Sequence, residues 1–125
     1  MFKINEDKSI YLTRGDIANI TVGANLDGQP YTFKVGDVVR IKVMKRKDST
    51  TVLLQKDVEV FEETQAVGIF LEKEDTKIGD FINKPTNYWY EVELNPETTP
   101  QTIIGYDEEG EKILKLYPEG GDFNE

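Results

Sequence analysis

The chain has 125 residues, no cysteine, no histidine and a formal net charge of −9. This length suits one domain that buries its own core without disulfides or metals. The lack of cysteine and histidine excludes thiolate zinc sites, disulfide frameworks, Ser-His-Asp triads and any histidine general base. Without these residues we expect no enzymatic activity and no cofactor. The negative charge disfavours a protein that grips phosphate backbones, so we expect no nucleic-acid partner.

Neither a membrane span nor a signal peptide is expected. The longest uncharged apolar stretches are only as long as strands. The opening residues, from Met1 to Lys8, contain no apolar core and no small-residue cleavage site. We therefore expect a protein that is made in the cytoplasm and has no membrane partner.

Short alternating runs separated by turn residues predict strands and no long helix. The short runs lie at 9–13, 17–22, 31–33, 38–45, 51–54, 58–61, 66–71, 87–94, 102–106 and 112–117. Asp27 and Gly28 indicate a tight hairpin turn in which the glycine takes a positive φ. Residues 72–79 are the one stretch that favours helical turns, ending at Gly79. The last two runs flank Asp107-Glu108-Glu109-Gly110, which predicts a hairpin with an acidic tip.

The spacing of the turns is typical of an antiparallel β-sandwich. We predict about seven to nine strands in one domain over residues 1–118, followed by a flexible acidic tail over 119–125. Alternation also assigns faces, because successive strand residues point to opposite sides. The predicted core is Ile10, Leu12, Ile20, Val22, Val39, Ile41, Val43, Val67, Ile69, Leu71, Tyr90, Val92, Leu94, Ile104, Leu114 and Leu116.

Three segments carry a resemblance to a known family. They are Tyr11-Leu12-Thr13-Arg14-Gly15-Asp16, Leu71-Glu72-Lys73-Glu74-Asp75-Thr76, and Tyr88-Trp89-Tyr90-Glu91-Val92-Glu93-Leu94. In order and spacing, roughly over residues 8–118, the chain resembles the N-terminal immunoglobulin-like domain of upper baseplate proteins from tailed phages of Gram-positive bacteria.

The resemblance implies an immunoglobulin-like sandwich with no enzymatic activity that joins tail components to one another. Its partners would be other phage or prophage tail proteins or copies of itself, and its place would be the virion after synthesis in the bacterial cytoplasm. Members of that family usually continue into a stalk or fibre-binding region, whereas this chain stops soon after the domain. An adaptor would therefore need a second attachment point within the domain itself.

Two charged clusters each allow two interpretations. Asp107, Glu108, Glu109 and Glu111 could bind calcium or form a solvated turn, and they lack the spacing of a dedicated calcium loop. The basic residues could contact phosphate or form the wet face of a strand and hairpin, and the overall acidity favours the latter. This basic set is Arg40, Lys42, Lys45, Arg46 and Lys47.

Aromatic and charged residues together predict an interaction surface. Trp89 with Tyr11, Tyr31 and Tyr106 could form a platform for sugar, or Trp89 could be structural. Residues 107–125 hold seven acids and two lysines, a net charge of −5, which could meet the basic strand of a neighbour. The candidate interaction residues are Trp89, Tyr106, Tyr117, Arg40 and Lys42. The function predicted first is a virion structural protein, and the alternative is a carbohydrate-binding or adhesin-like module.

Overall fold

The computed structural model describes residues 1–45, 51–105 and 110–119, and within these ranges it contains strands and no helix. No described segment forms a helix long and apolar enough to cross a membrane. The eleven strands are β1 (Phe2–Ile4), β2 (Ile10–Thr13), β3 (Ala18–Val22), β4 (Asn25–Leu26), β5 (Gln29–Pro30), β6 (Val38–Met44), β7 (Val52–Glu59), β8 (Val67–Leu71), β9 (Thr86–Leu94), β10 (Gln101–Ile104) and β11 (Ile113–Tyr117). The number exceeds the predicted seven to nine because β1, β4 and β5 have only two or three residues each.

The strands form an all-β fold of the β-sandwich kind. The large sheet has the order β1-β2-β11-β9-β6-β7, and β10 pairs with β9 beside this path. The small sheet is β3-β8, and β4-β5 is a separate hairpin. Among the described pairs, β2 with β11 is the parallel one, and the rest are antiparallel.

The two sheets bury one apolar cluster between them. In β3 and β8 every second residue is buried, and β6 and β9 show the same alternation. The predicted core is confirmed, except that Ile104 is only partly buried and packs against the cluster. The predicted core did not include Phe33, Val60 and Ile78, which are buried although they lie in connections between strands.

Three predictions about individual strands are wrong. The final two strands do not form a hairpin, because β10 and β11 each pair with β9 along different parts of its length. The predicted runs 51–54 and 58–61 are mostly one strand, β7, since β6 is long enough to pair with it throughout. The run 31–33 is no strand, and Phe33 makes only an isolated bridge to Thr64.

The two turn predictions have different outcomes. Asp27 and Gly28 have φ angles of 53° and 78°, which is the type I′ geometry expected for a two-residue hairpin between β4 and β5. Residues 72–79 form a hydrogen-bonded turn and not a helix, although Gly79 does have a positive φ of 66°. The acidic tip at 107–109 and the tail beyond Glu119 lie outside the described residues.

One buried hydroxyl fixes the 72–79 turn to the opposite segment of the chain. The side chain of Thr76 is fully buried. Its Oγ1 donates to the carbonyl of Asp16 at 2.7 Å and accepts from the N–H of Gly15 at 2.9 Å. The turn that follows β2 and the turn that follows β8 are therefore held together as one unit.

Asp37 fixes the connection that leads into β6. Its Oδ2 accepts from the Tyr31 hydroxyl at 2.6 Å and from the Lys34 N–H at 2.9 Å, and its Oδ1 accepts from the Asn95 amide at 3.1 Å. Burial by itself would raise the pKa of Asp37, but these three hydrogen bonds outweigh it and the pKa is lowered. The hydrogen bond between the Tyr31 hydroxyl and Asp37, together with some burial, raises the pKa of Tyr31 to about 12.

We expect Asp37→Asn to flatten the acid side of the stability profile. A carboxyl whose folded pKa is lowered stabilises the fold fully above its unfolded pKa of about 3.9, and this contribution is lost as the pH falls through the folded pKa. Urea unfolding between about pH 6 and about pH 2 should therefore show a shallower loss in the variant. Asp80→Asn, which removes the same charge from an exposed position, is the control. Parallel profiles for wild type and Asp37→Asn would contradict the assignment.

Candidate interaction face

The side of the large sheet that points away from the core forms one continuous surface, called here the outer face. On β9, Trp89, Glu91 and Glu93 alternate with the buried residues of that strand. Strand β6 places Arg40, Lys42 and Met44 beside them, with Glu93 opposite Arg40, Glu91 opposite Lys42 and Trp89 opposite Met44. Paired residues of neighbouring strands point to the same side of a sheet, so these side chains share the outer face.

The predicted interaction residues converge on this face as far as the structure describes them. Trp89, Arg40 and Lys42 belong to β9 and β6, and Tyr117 lies on β11 among the residues that alternate with buried Leu114 and Leu116. The remaining member, Tyr106, lies outside the described residues, as do Arg46 and Lys47 of the predicted basic set.

Arg40 is tied to two acids of its own chain. Its Nε and Nη2 bind both carboxylate oxygens of Asp57, at 2.8 and 3.0 Å, and its Nη1 binds Glu97 at 2.9 Å. The hydrogen bond to Asp57 raises the pKa of Arg40, with smaller help from Glu97, and the same bond lowers the pKa of Asp57. Only 15% of the Arg40 side chain is exposed.

Lys42 is compensated in the same way. Its Nζ lies 3.1 Å from Glu91 and 3.0 Å from Glu93. The hydrogen bond to Glu93 raises the pKa of Lys42 most, Glu91 adds to it, and partial burial opposes both. Two cations thus meet four carboxylates, so this part of the outer face is acidic. The predicted role of Arg40 and Lys42 in attracting an acidic neighbour has no support in this geometry.

Beside this charged region, the outer face carries an aromatic patch, defined here as Tyr11, Lys115, Tyr117, Trp89 and Ile113. The rings of Tyr11 and Tyr117 meet edge to face, with centroids 5.9 Å apart and planes at 62°. The Lys115 ammonium lies over both rings, 5.8 Å from the Tyr11 centroid and 5.7 Å from that of Tyr117. Such cation–π contacts attract the cation to both rings.

Trp89 extends the patch toward β6. Its register partners are Ile113 on one side and Met44 on the other. The ring is only partly buried, yet its Nε1 is enclosed and has no hydrogen-bond partner among the described residues. Trp89 therefore lies on the outer face and not in the cluster between the sheets.

The predicted sugar platform is only partly assembled. Strand β11 lies between β2 and β9. Its Lys115 pairs with Tyr11 of β2, and its Ile113 pairs with Trp89 of β9. Tyr11 and Trp89 therefore share the outer face. Tyr31 belongs elsewhere, since it packs on buried Phe33 and donates to Asp37. The sequence analysis did not single out Lys115. Its position between two tyrosines results from the parallel pairing of β2 with β11, and no pattern in the sequence around Lys115 indicates that pairing.

Among residues 1–45, 51–105 and 110–119, no group of three or more acidic, histidine or cysteine side chains is arranged to hold a metal ion. Of the predicted calcium-binding residues, only Glu111 belongs to these ranges. No family model, no curated protein and no solved structure matches this chain.

Proposed function

We propose that this chain is a non-catalytic structural component of a phage or prophage tail, at the baseplate, that binds its neighbours through the aromatic patch. The observation that carries the proposal is the convergence of Trp89 and Tyr117 with Tyr11 and Lys115 on one outer face. Partly exposed aromatic side chains are the residue type that supplies most of the binding energy in protein interfaces.

The segments that resemble the baseplate family support the same proposal. The first and second segments, which contain Gly15 and Thr76, bind each other through the Thr76 hydroxyl. The third segment is the core of β9, the strand that pairs with β6, β10 and β11. The first two segments are thus in direct contact, and the third lies in the same sheet as β2, separated from it by β11.

A carbohydrate-binding module remains the alternative, because Tyr11, Tyr117 and Trp89 share one face. The arrangement of the rings favours protein contact over sugar stacking. A sugar ring stacks on an open aromatic face, whereas Lys115 lies over both tyrosine rings and the rings are inclined at 62° to each other. If sugar is the ligand, titration with bacterial wall polysaccharides should quench the fluorescence of Trp89.

The proposal predicts that the double variant Tyr11→Ser, Tyr117→Ser is lost from assembled particles. The variant removes two of the three aromatic rings of the patch, and we expect incorporation to fall at least tenfold, about 1.4 kcal/mol. The measurement is quantitative mass spectrometry of tail particles purified from the induced host. Circular dichroism of the purified variant verifies that the fold persists.

Phe70→Ser provides the matched control. Phe70 is 47% exposed and lies on the small sheet, away from the outer face. Its loss should leave incorporation unchanged. Absence of the wild-type protein from particles would contradict the tail assignment. Normal incorporation of the tyrosine variant would contradict docking through the aromatic patch.

A further inference from the structure

A polar pocket opens at the end of the sandwich where β2 and β11 terminate, and it is called here the Arg14 pocket. Its volume is about 290 Å³, and its charged lining residues are Arg14, Asp16, Lys73, Lys77 and Glu119. Arg14 and Asp16 come from the turn after β2, the lysines from the 72–79 turn, and Glu119 follows β11. The pocket lies outside the aromatic patch and has no role in the proposed docking.

The Arg14 guanidinium has more hydrogen-bonding capacity than its surroundings use. Its Nη2 contacts the Gly79 carbonyl and its Nη1 contacts a Glu119 carboxylate oxygen, each at 3.5 Å, which is the outer limit of a hydrogen bond. Its Nε is buried and has no partner among the described residues. Only 14% of the side chain is exposed, although a guanidinium offers five N–H donors. Such a group gains from an oxyanion that it can bind with two hydrogen bonds.

Positive charge exceeds negative charge in the lining. The Asp16 carboxylate pairs with the amino group of Met1. The Lys77 ammonium is 4.0 Å from the nearest oxygen of Glu74, and its side chain is 40% exposed. Lys73 is exposed as well. The lining thus contains three cations and two carboxylates, those of Asp16 and Glu119.

The carboxylate of Glu119 already lies in the pocket, next to Arg14. It approaches so closely that a Cβ on Gly15 would lie 3.0 Å from Oε1, and Gly15 also has a φ of +87°. The pocket walls are fixed beforehand, because buried Thr76 joins the Gly15–Asp16 turn to the lysine-bearing turn. A preformed site loses little entropy when a ligand enters.

We propose that the Arg14 pocket binds a side-chain carboxylate of an acidic peptide segment on a partner protein, and that Glu119 occupies the pocket until the partner displaces it. Carboxylates match the guanidinium geometry, and one from this chain already lies against it. The pocket gives the domain a second attachment point, separate from the outer face. The proposal does not rest on the tail assignment, since it concerns what the purified protein binds.

The test is fluorescence polarisation with fluorescein-labelled tetraglutamate at low ionic strength. Arg14→Gln should weaken binding at least about fivefold, and so should the double variant Lys73→Gln, Lys77→Gln, whose exposed positions leave the fold intact. Glu119→Gln should strengthen binding severalfold, because it removes the competing carboxylate. Each control removes the same charge at an exposed position away from the pocket. Lys84→Gln is the control for Arg14→Gln, and Glu62→Gln is the control for Glu119→Gln. The double variant Lys34→Gln, Lys84→Gln is the control for the lysine pair.

Each outcome decides for or against the proposal. The proposal is supported if Arg14→Gln weakens peptide binding and Glu119→Gln strengthens it, while the control of each variant leaves binding unchanged. Equal effects in a variant and its control would mean that only net charge matters, which overturns it. Tighter binding of inorganic phosphate than of the peptide, measured by competition, would overturn the peptide assignment in favour of a phosphate site.

Discussion

Replacing Phe33 by alanine is expected to lower the free energy of unfolding by about 3–5 kcal/mol. Phe33 is the largest of the fully buried side chains, with 0% exposure, and it belongs to the cluster between the two sheets. The substitution loses the transfer free energy of the ring and leaves a cavity that the surrounding strands can only partly close. A domain of this size has a total stability of about 5–15 kcal/mol, so the variant should be close to unfolding.

Phe61→Ala is the matched control for this prediction. The Phe61 side chain is 75% exposed, and we expect its removal to change the free energy of unfolding by no more than about 0.5 kcal/mol. Urea unfolding followed by the fluorescence of Trp89, the one tryptophan in the chain, measures both variants. Similar losses in the two would mean that Phe33 does not anchor the core.

The second large effect is expected for Thr76→Val, with a loss of about 1–3 kcal/mol. Valine keeps the shape of threonine but removes the hydroxyl that links the carbonyl of Asp16 to the N–H of Gly15. Both backbone groups would lose a partner in a part-buried contact, next to a side chain that is itself fully buried. Thermal and urea unfolding measure the loss.

Two controls separate the hydroxyl from other effects of this substitution. Thr76→Ser keeps the hydroxyl and should recover most of the stability. Thr21→Val makes the same chemical change on the exposed side of β3 and should cost little. A neutral Thr76→Val would show that the two turns hold together without this bridge, and the rigid frame of the Arg14 pocket would lose its main support.

If both proposals hold, the outer face and the Arg14 pocket would let a small sandwich join two neighbours. The aromatic patch supplies apolar contact area on the large sheet, and the pocket lies at the end of β2 and β11. Strand β11 connects them, because Tyr117 belongs to the patch and Glu119 follows it by two residues. A partner bound at one site therefore lies close to the strand that carries the other.

The paired charges on β6 and β9 have a structural consequence. Arg40 and Lys42 neutralise part of a strongly acidic surface within the chain itself. Reversing either charge would place a new carboxylate among acids that already crowd this region, so it would disturb the fold together with any docking. Substitutions in the aromatic patch test docking more cleanly for this reason.

The sequence by itself determined the fold class, the faces of the strands and most of the core. Alternation along β6 and β9 is a property of each strand alone, so Val39, Ile41 and Val43 could be assigned to the core, and Arg40 and Lys42 to the opposite side, without knowing any neighbour. The Asp27-Gly28 turn was equally local, because its backbone angles follow from its two central residues.

Only the tertiary structure decided which side chains meet. Lys115 reaches Tyr11 because β2 and β11, at opposite ends of the chain, pair in parallel. Arg40 is neutralised by Glu97 from 57 residues away, and Thr76 holds Asp16 from 60 residues away. Burial of Phe33 likewise depends on how two sheets close over a connecting segment. Period-two patterns fix the side to which a residue points, but strand order and register fix its neighbours, and those arise from long-range pairing that no local pattern records.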